Sequence, residues 1–265
     1  MDWVRDHYNE QSRLFGRALI TDQHRVIAAG IDRWCQRLPR CEKILELGAG
    51  ACGVAGALAG RGYDVFAVEF NPHDIALAQE LKMSQELESL RVVEADFYEV
   101  ELPHRFDFVF YWDGFGVGDD SDQRRLLDRI GNEWLAAGGW VLIDVFSPWN
   151  WQRRDGEVTE FTATDGSKWT RLLEFDAVRG RFVDHLRPTD GSDRELSQTI
   201  RVYTLQEFEL LTEGTALRVD SFHLFDEAPD DSARLPPIID SQVADASLSH
   251  RLLSTNGYLA SLVRR

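Results

Sequence analysis

The 265-residue chain sets 45 acidic against 29 basic side chains, a net charge of −16, with 43% hydrophobic and 28% charged residues. Such a chain can bury one full core, and its acidic excess speaks against a nucleic-acid partner, because displacing counterions from phosphates takes Lys and Arg. No apolar run reaches the roughly eighteen residues of a membrane span and no basic, apolar leader opens the chain, so a cytoplasmic protein with a small-molecule partner is expected.

Residues 1–40 read as helical. Tyr8, Ser12 and Phe15, then Ile20, His24, Ile27 and Ile31, recur at helical spacing before Leu38-Pro39 stops the run. Cys35, Cys41 and Cys52 lack metal-type spacing and are expected to be reduced.

Residues 43–71 carry the strongest signal. Ile44-Leu45-Glu46-Leu47 is a short apolar run halted by glycine, as in a buried strand. Gly48-Ala49-Gly50-Ala51-Cys52-Gly53 turns the chain, 54–59 are small residues suited to a tightly packed helix, and 63–68 form a second apolar run closed by Glu69. Strand, glycine turn, helix and strand with an acid at the second tip describe a nucleoside-binding unit. Gly48 and Gly50 let the backbone approach a ligand where a Cβ would collide. Glu69 lies where a carboxylate can accept ribose hydroxyls. Glu46 discriminates between ligands: an anion beside a pyrophosphate is unfavourable, whereas one beside an ammonium or sulfonium is attracted.

Asn71-Pro72 then caps a helix over 75–88, with His73 exposed at its start, and 90–95 form a third strand followed by Asp96-Phe97. The fourth strand, 106–112, is apolar on both faces as a central parallel strand should be. It runs into Tyr111-Trp112-Asp113-Gly114-Phe115-Gly116-Val117-Gly118, at the strand end where ligands bind in such sheets. A helix over 121–134 and a strand over 140–146 follow, and Trp149 and Trp151 leave that strand's carboxyl end. From 158 onward residues alternate between Asp165-Gly166, Arg179-Gly180 and Asp190-Gly191 turns, which predicts four antiparallel strands. Thr204-Leu205-Gln206-Glu207 is a capping box opening a helix to 213. A sixth strand over 217–224, an acidic surface loop over 226–250 and a final antiparallel strand over 258–263 complete the chain.

Residues 44–53 resemble motif I of the class I S-adenosylmethionine (SAM) dependent methyltransferases, hydrophobic-hydrophobic-[D/E]-hydrophobic-G-x-G-x-x-G. Gly180-Arg181-Phe182-Val183-Asp184 and residues 197–204 look like the cap of bacterial small-molecule methyltransferases. The resemblance implies an α/β, Rossmann-like seven-stranded sheet with an N-terminal helical lid (1–40), a SAM-binding core (41–156), an inserted antiparallel β cap (157–204) and a C-terminal completion of the sheet (205–265). It implies that Glu46, Gly48, Ala49, Gly50 and Gly53 face the methionine part of SAM. Glu69 takes the ribose, Asp96 and Phe97 meet the adenine, and Phe70 and Tyr111 are further cofactor-binding candidates. His7, Tyr8, Tyr111 and Asp113 are candidates to orient the acceptor or move a proton. Trp112, Phe115, Trp149, Trp169, His185, Arg201 and Tyr203 are candidate acceptor contacts. No metal is expected, and the donor's product is S-adenosyl-L-homocysteine (SAH). Eight tryptophans, several at strand ends or on the cap, point to an aromatic or heteroaromatic, indole-like acceptor methylated at N, C or O in secondary metabolism. A non-aromatic amine or amino sugar, an NAD-dependent oxidoreductase using the same glycine turn, a non-catalytic SAM-binding protein and a homodimer stay open.

Overall fold

In a computed structural model, which describes residues 2–224 and 252–265, β1 (Lys43–Leu47) is an interior strand of the larger sheet. Four of its five side chains are buried, as a parallel strand covered on both faces requires. It pairs in parallel with β2 (Asp64–Glu69) on one side and β4 (Phe106–Tyr111) on the other. With β3 (Leu90–Glu94), β5 (Leu135–Phe146), β10 (Leu217–Leu224) and β11 (Gly257–Arg264), the order is β10-β11-β5-β4-β1-β2-β3. β11 runs antiparallel between β5 and β10. The chain winds outward from β1 to β3 and then restarts at β4, so the crevice at the carboxyl ends of β1 and β4 is a topological switch point. The fold is the Rossmann-like seven-stranded sheet that the motifs imply.

Strand alternation divides the core between the two faces. Leu45, Leu47, Phe66, Val68 and Val109 pack under α5 (Asp120–Arg129) and α7 (Leu205–Thr212). Ile44, Val65, Ala67, Phe108 and Phe110 pack under α2 (Asp22–Cys35) and α3 (Gly53–Ala59). α4 (Pro72–Ser84) starts where Asn71 Oδ1 accepts the His73 amide at 3.0 Å, and it ends four residues before the expected 88. The N-terminal run is two helices. α1 (Asp2–Phe15) stops before Gly16, and Thr21 starts α2 through a reciprocal cap in which His24 supplies the side-chain acceptor.

Two boundaries differ from the periodicity. The expected helix over 121–134 ends as a π-helical turn, Ile130–Trp134, after α5. β5 begins at Leu135 rather than 140, because Phe106 pairs with Leu135 and Phe108 with Trp140, leaving 136–139 bulged out around two glycines. The expected loop over 226–250 lies outside the described residues.

The smaller sheet joins β6 (Val158–Thr162), β7 (Lys168–Asp176), β8 (Arg181–Pro188) and β9 (Leu196–Arg201) in chain order, every pair antiparallel. α6 (Pro148–Arg153) leads into it, and Trp151 of α6 stacks on Phe182 of β8 at 4.0 Å. α1 packs on both α4 and β9, the Thr164 amide donates to the Leu14 carbonyl at 2.9 Å, and Glu10 pairs with Arg194. Helix α1 therefore bridges the two sheets. Among the described residues no helix is long and apolar enough to cross a membrane.

Candidate active site

A cavity of ≈1570 Å³ lies between the carboxyl ends of β1, β2, β4 and β5, the lid helix and the cap. It exceeds the usual range for one drug-sized ligand, about 300–1,000 Å³, and so has room for a nucleoside and a second small molecule.

The glycine turn occupies one half. Gly48 and Gly50 have φ of +62° and +51°, and a Cβ on Gly48 would press on the Tyr111 ring, so glycine is required there by backbone and by space. Glu69 Oε2 accepts the Gly50 amide at 2.8 Å, and Oε1 accepts the Phe70 and Asn71 amides, each at 2.8 Å. A carboxylate offers about four acceptor positions, so Glu69 keeps capacity for a hydroxyl donor. Burial pushes its pKa up while these amides pull it down. Glu46, 4% exposed, lines the same cavity, and its Oε2 has no hydrogen-bond partner. Burial pushes the Glu46 carboxyl up to about 8, opposed by the Ala55 amide and reinforced by the Glu69 charge. An orphaned buried carboxylate oxygen is costly. It is the feature a cationic ligand group would satisfy, so the residues present fit the ammonium end of SAM. Ala49, Gly53, Phe70, Asp96 and Phe97 also line the cavity. Asp96 Oδ1 accepts the Tyr98 amide at 2.8 Å, and the Phe97 ring meets that of Tyr111 at 5.6 Å.

The other half is built by the lid, the ends of β4 and β5, and the cap. The Tyr8 hydroxyl donates to Gln198 Oε1 at 2.9 Å, and Gln198 Nε2 reaches Asp184 Oδ2 at 3.4 Å. Arg171 holds Asp184 in a two-point pair at 2.9 and 2.7 Å. Burial and the charges of Asp113, Glu69 and Asp184 raise the Tyr8 pKa, so its hydroxyl stays protonated. Asp113 sits just past β4 in the left-handed region, φ +57°, and its amide donates to Asp144 Oδ2 at 3.3 Å. Trp112, Phe146, Trp151 and Phe182 supply aromatic wall.

Of the residues singled out in the sequence, Tyr8, Tyr111, Trp112 and Asp113 line the cavity with the glycine turn and Glu46, Glu69, Phe70, Asp96 and Phe97. The Tyr111 hydroxyl, however, donates to the Gly114 carbonyl of its own loop at 2.9 Å. His7 is buried beside Tyr8 with neither ring nitrogen partnered, burial lowers its pKa, and it does not line the cavity.

Six expected acceptor contacts lie elsewhere. Phe115 is fully buried in the core against Tyr203 and Phe208. Its loop packs so closely on the cap that a Cβ on Gly116 would overlap the Arg201 carbonyl. Tyr203 donates to Asp120 at 2.8 Å, and Arg201 pairs with Glu207 at 2.9 Å. His185 is held by Glu174, Glu195 and Ser197. Trp169 packs with Leu14 and Leu186 and donates to Ser167 Oγ at 2.8 Å, and Trp149 is a surface residue. Cavity residues not anticipated as site residues include Asp144, Phe146, Arg171, Phe182, Asp184 and Gln198. Asp144 was detectable as a lone acid inside the apolar run Val141-Leu142-Ile143-Asp144-Val145, the anomaly that also marks Glu46.

Residues 44–139 match the family model described as Methyltransferase domain. No curated protein sequence matches the chain. Among solved structures, the chain is similar to the CcbJ methyltransferase of Streptomyces caelestis, at 18% identity over 92% of this chain and 90% of that one, with a TM-score of 0.69. It is also similar to DesVI of Streptomyces venezuelae, at 17% identity, 91% and 92% coverage and a TM-score of 0.62. CalS10 of Micromonospora echinaspora, an amino pentose methyltransferase, aligns at 19% identity, 90% and 90% coverage and a TM-score of 0.58. Residues 44–139 are therefore similar to a methyltransferase domain, and the chain shares the Rossmann-like methyltransferase fold of these structures.

Proposed function

We propose that the protein is a SAM-dependent methyltransferase acting on a small molecule. The observation that carries the reading is Glu46, a buried carboxylate with an unpartnered oxygen beside a left-handed glycine turn. That arrangement favours a cationic donor and disfavours a diphosphate, which separates SAM from NAD.

Bound SAM supplies a methyl group already activated on a sulfonium. The chain's residues then have four tasks. Glu46 and the 48–50 turn hold the ammonium end, Glu69 accepts from the ribose, and Asp96 and Phe97 hold the base. Tyr8 and the lid helix close the cavity between donor and acceptor and exclude water. Fixing the acceptor in line with the methyl is the main catalytic contribution, on the order of 7–11 kcal/mol for well-oriented groups.

A small acceptor suits the roofed cavity, and the amino pentose methyltransferase among the structural neighbours supports that class. A flat, apolar part on the acceptor is supported by Trp112, Phe146, Trp151 and Phe182. It draws no support from Trp149 and Trp169.

Calorimetric titration of the purified chain with SAM, SAH and NAD tests the reading. SAM and SAH are expected to bind and NAD not to, and Glu46→Gln is expected to weaken SAM by about 10–100-fold, the equivalent of one charged hydrogen bond. NAD binding, or SAM affinity indifferent to Glu46, would overturn it.

A further inference from the structure

Asp113 and Asp144 sit side by side at the adjoining ends of two parallel strands, with the Asp113 amide donating to Asp144 Oδ2. Both line the acceptor half of the cavity. The Asp113 carboxylate accepts no hydrogen bond from a described residue, and its backbone is left-handed, φ +57°. The cation whose field reaches it, Arg171 of β7, is already held at two points by Asp184 of β8. Tyr8 of the lid and Tyr111 of β4 face the same charge, and both are kept protonated by it and by burial. Gly257 of β11 backs Asp144 and brings no charge. Asp113 is exposed to the cavity and Asp144 half-buried; desolvation by the surrounding walls pushes Asp113 up to about 6 against the pull of Arg171, and desolvation with the Asp113 charge pushes Asp144 up to about 7.

This half of the cavity therefore repels an acceptor bearing a carboxylate or phosphate at the reacting end. It offers an alcohol little, because removing a hydroxyl proton calls for a far stronger base than a carboxylate. A protonated amine gains an ion pair and a proton acceptor whose pKa burial has moved toward its own.

Resting on the SAM reading above, we propose that the acceptor is a basic amine, and that the Asp113–Asp144 pair binds its ammonium form and removes one proton before methylation. The proton passes from nitrogen to the carboxyl pair. The freed lone pair forms the N–C bond, and the C–S bonding electrons return to sulfur to leave the neutral thioether. The product is the N-methylammonium ion, and the proton held by the pair leaves to solvent when the product departs. The aromatic wall of Phe146, Trp151 and Phe182 contacts the amine's apolar body, and Asp184, neutralised by Arg171, holds the lid through Gln198 and Tyr8.

The test uses the full chain loaded with SAH and isosteric probe pairs: tryptamine against tryptophol, 2-phenylethylamine against 2-phenylethanol, and cyclohexylamine against cyclohexanol. Calorimetry at pH 7.5 is expected to show each amine binding about 10–100-fold more tightly than its alcohol, the range for hydrogen bonds to a charged group. The preference should vanish in Asp113→Asn/Asp144→Asn, substitutions that keep size, tolerate the left-handed backbone and retain an acceptor for the Asp113 amide. SAH affinity, measured first, should be unchanged in the variant, and its loss in the wild type would sink the donor reading instead. With SAM, the wild type should lose amine methylation as pH falls through 7 to 6. The double variant should fall by about 10²–10⁴-fold and recover as pH rises toward the amine's own pKa, because only free amine then reacts. Equal binding of amine and alcohol, indifference to both, or a variant with the wild-type pH profile would overturn the proposal.

Discussion

Glu69 Oε2 accepts the Gly50 amide hydrogen at 2.8 Å, so the acid that ends β2 also shapes the turn that ends β1. Its other oxygen gathers the Phe70 and Asn71 amides. One buried carboxylate thus fixes both the entry to α4 and the glycine turn.

Glu69→Ala is expected to weaken SAM binding by about 1.5–3 kcal/mol, the scale for hydrogen bonds to a charged group. Glu69→Gln should do no better, since its amide nitrogen would face the backbone donors now paired with an oxygen. Calorimetry of both variants checks this, with thermal melting to show that the fold survives.

Glu46 makes the unliganded protein pH-sensitive. Its folded pKa of about 8 lies above the ordinary carboxyl value of 4.5, so the folded state binds more protons than the unfolded one between those values. The stability present below pH 4.5 is lost as pH rises through 8. Wild-type Tm should therefore fall across pH 5 to 8.5, with Asp113 and Asp144 adding to the fall between about 4 and 7, and Glu46→Gln should flatten its upper part. SAM should shift Tm most at high pH. Its binding near pH 7 should release protons, read as a dependence of the calorimetric enthalpy on buffer ionisation.

The donor half of the site was legible because it is local. Strand, glycine turn, helix and acid lie within residues 43–69 and obey steric rules tied to chain spacing. The acceptor half depends on register between distant segments. In β8, Phe182, Asp184 and Leu186 are buried while Val183 and His185 are not. A one-residue shift in parity exchanges those sets, which is why Asp184 lines the cavity and His185 does not. Phe115 and Tyr203 occupy promising chain positions, yet the core between β4, α7 and β11 claims them. Asp144 was legible by the logic applied to Glu46, because an acid in an apolar parallel strand needs a partner or a ligand.

Gly53 serves packing as well as the turn. A Cβ there would overlap the His24 ring, which is itself fixed by the Thr21 cap. Gly53→Ala should cost about 1–3 kcal/mol, as overpacking does, which for a chain of this size lowers Tm by roughly 2–4 °C per kcal/mol. His24→Ala in the same chain should recover most of that loss, a coupling that a double-mutant cycle on thermal melts would show.

Asp184 is 1% exposed, and Arg171 is its counter-ion. Arg171→Leu strands a buried charge and should destabilise the protein by about 3 kcal/mol, near the lower end for broken buried pairs because Arg171 is partly solvated. Asp184→Asn with Arg171→Leu should recover part of the loss. Chemical denaturation of the three variants would reveal it.

A structure of the full chain with SAH bound tests the central claim most directly. The account predicts the amino group within hydrogen-bond distance of Glu46, ribose hydroxyls on Glu69 and the adenine between Asp96 and Phe97. Finding SAH elsewhere in the molecule, or Glu46 still without a partner in the complex, would contradict it.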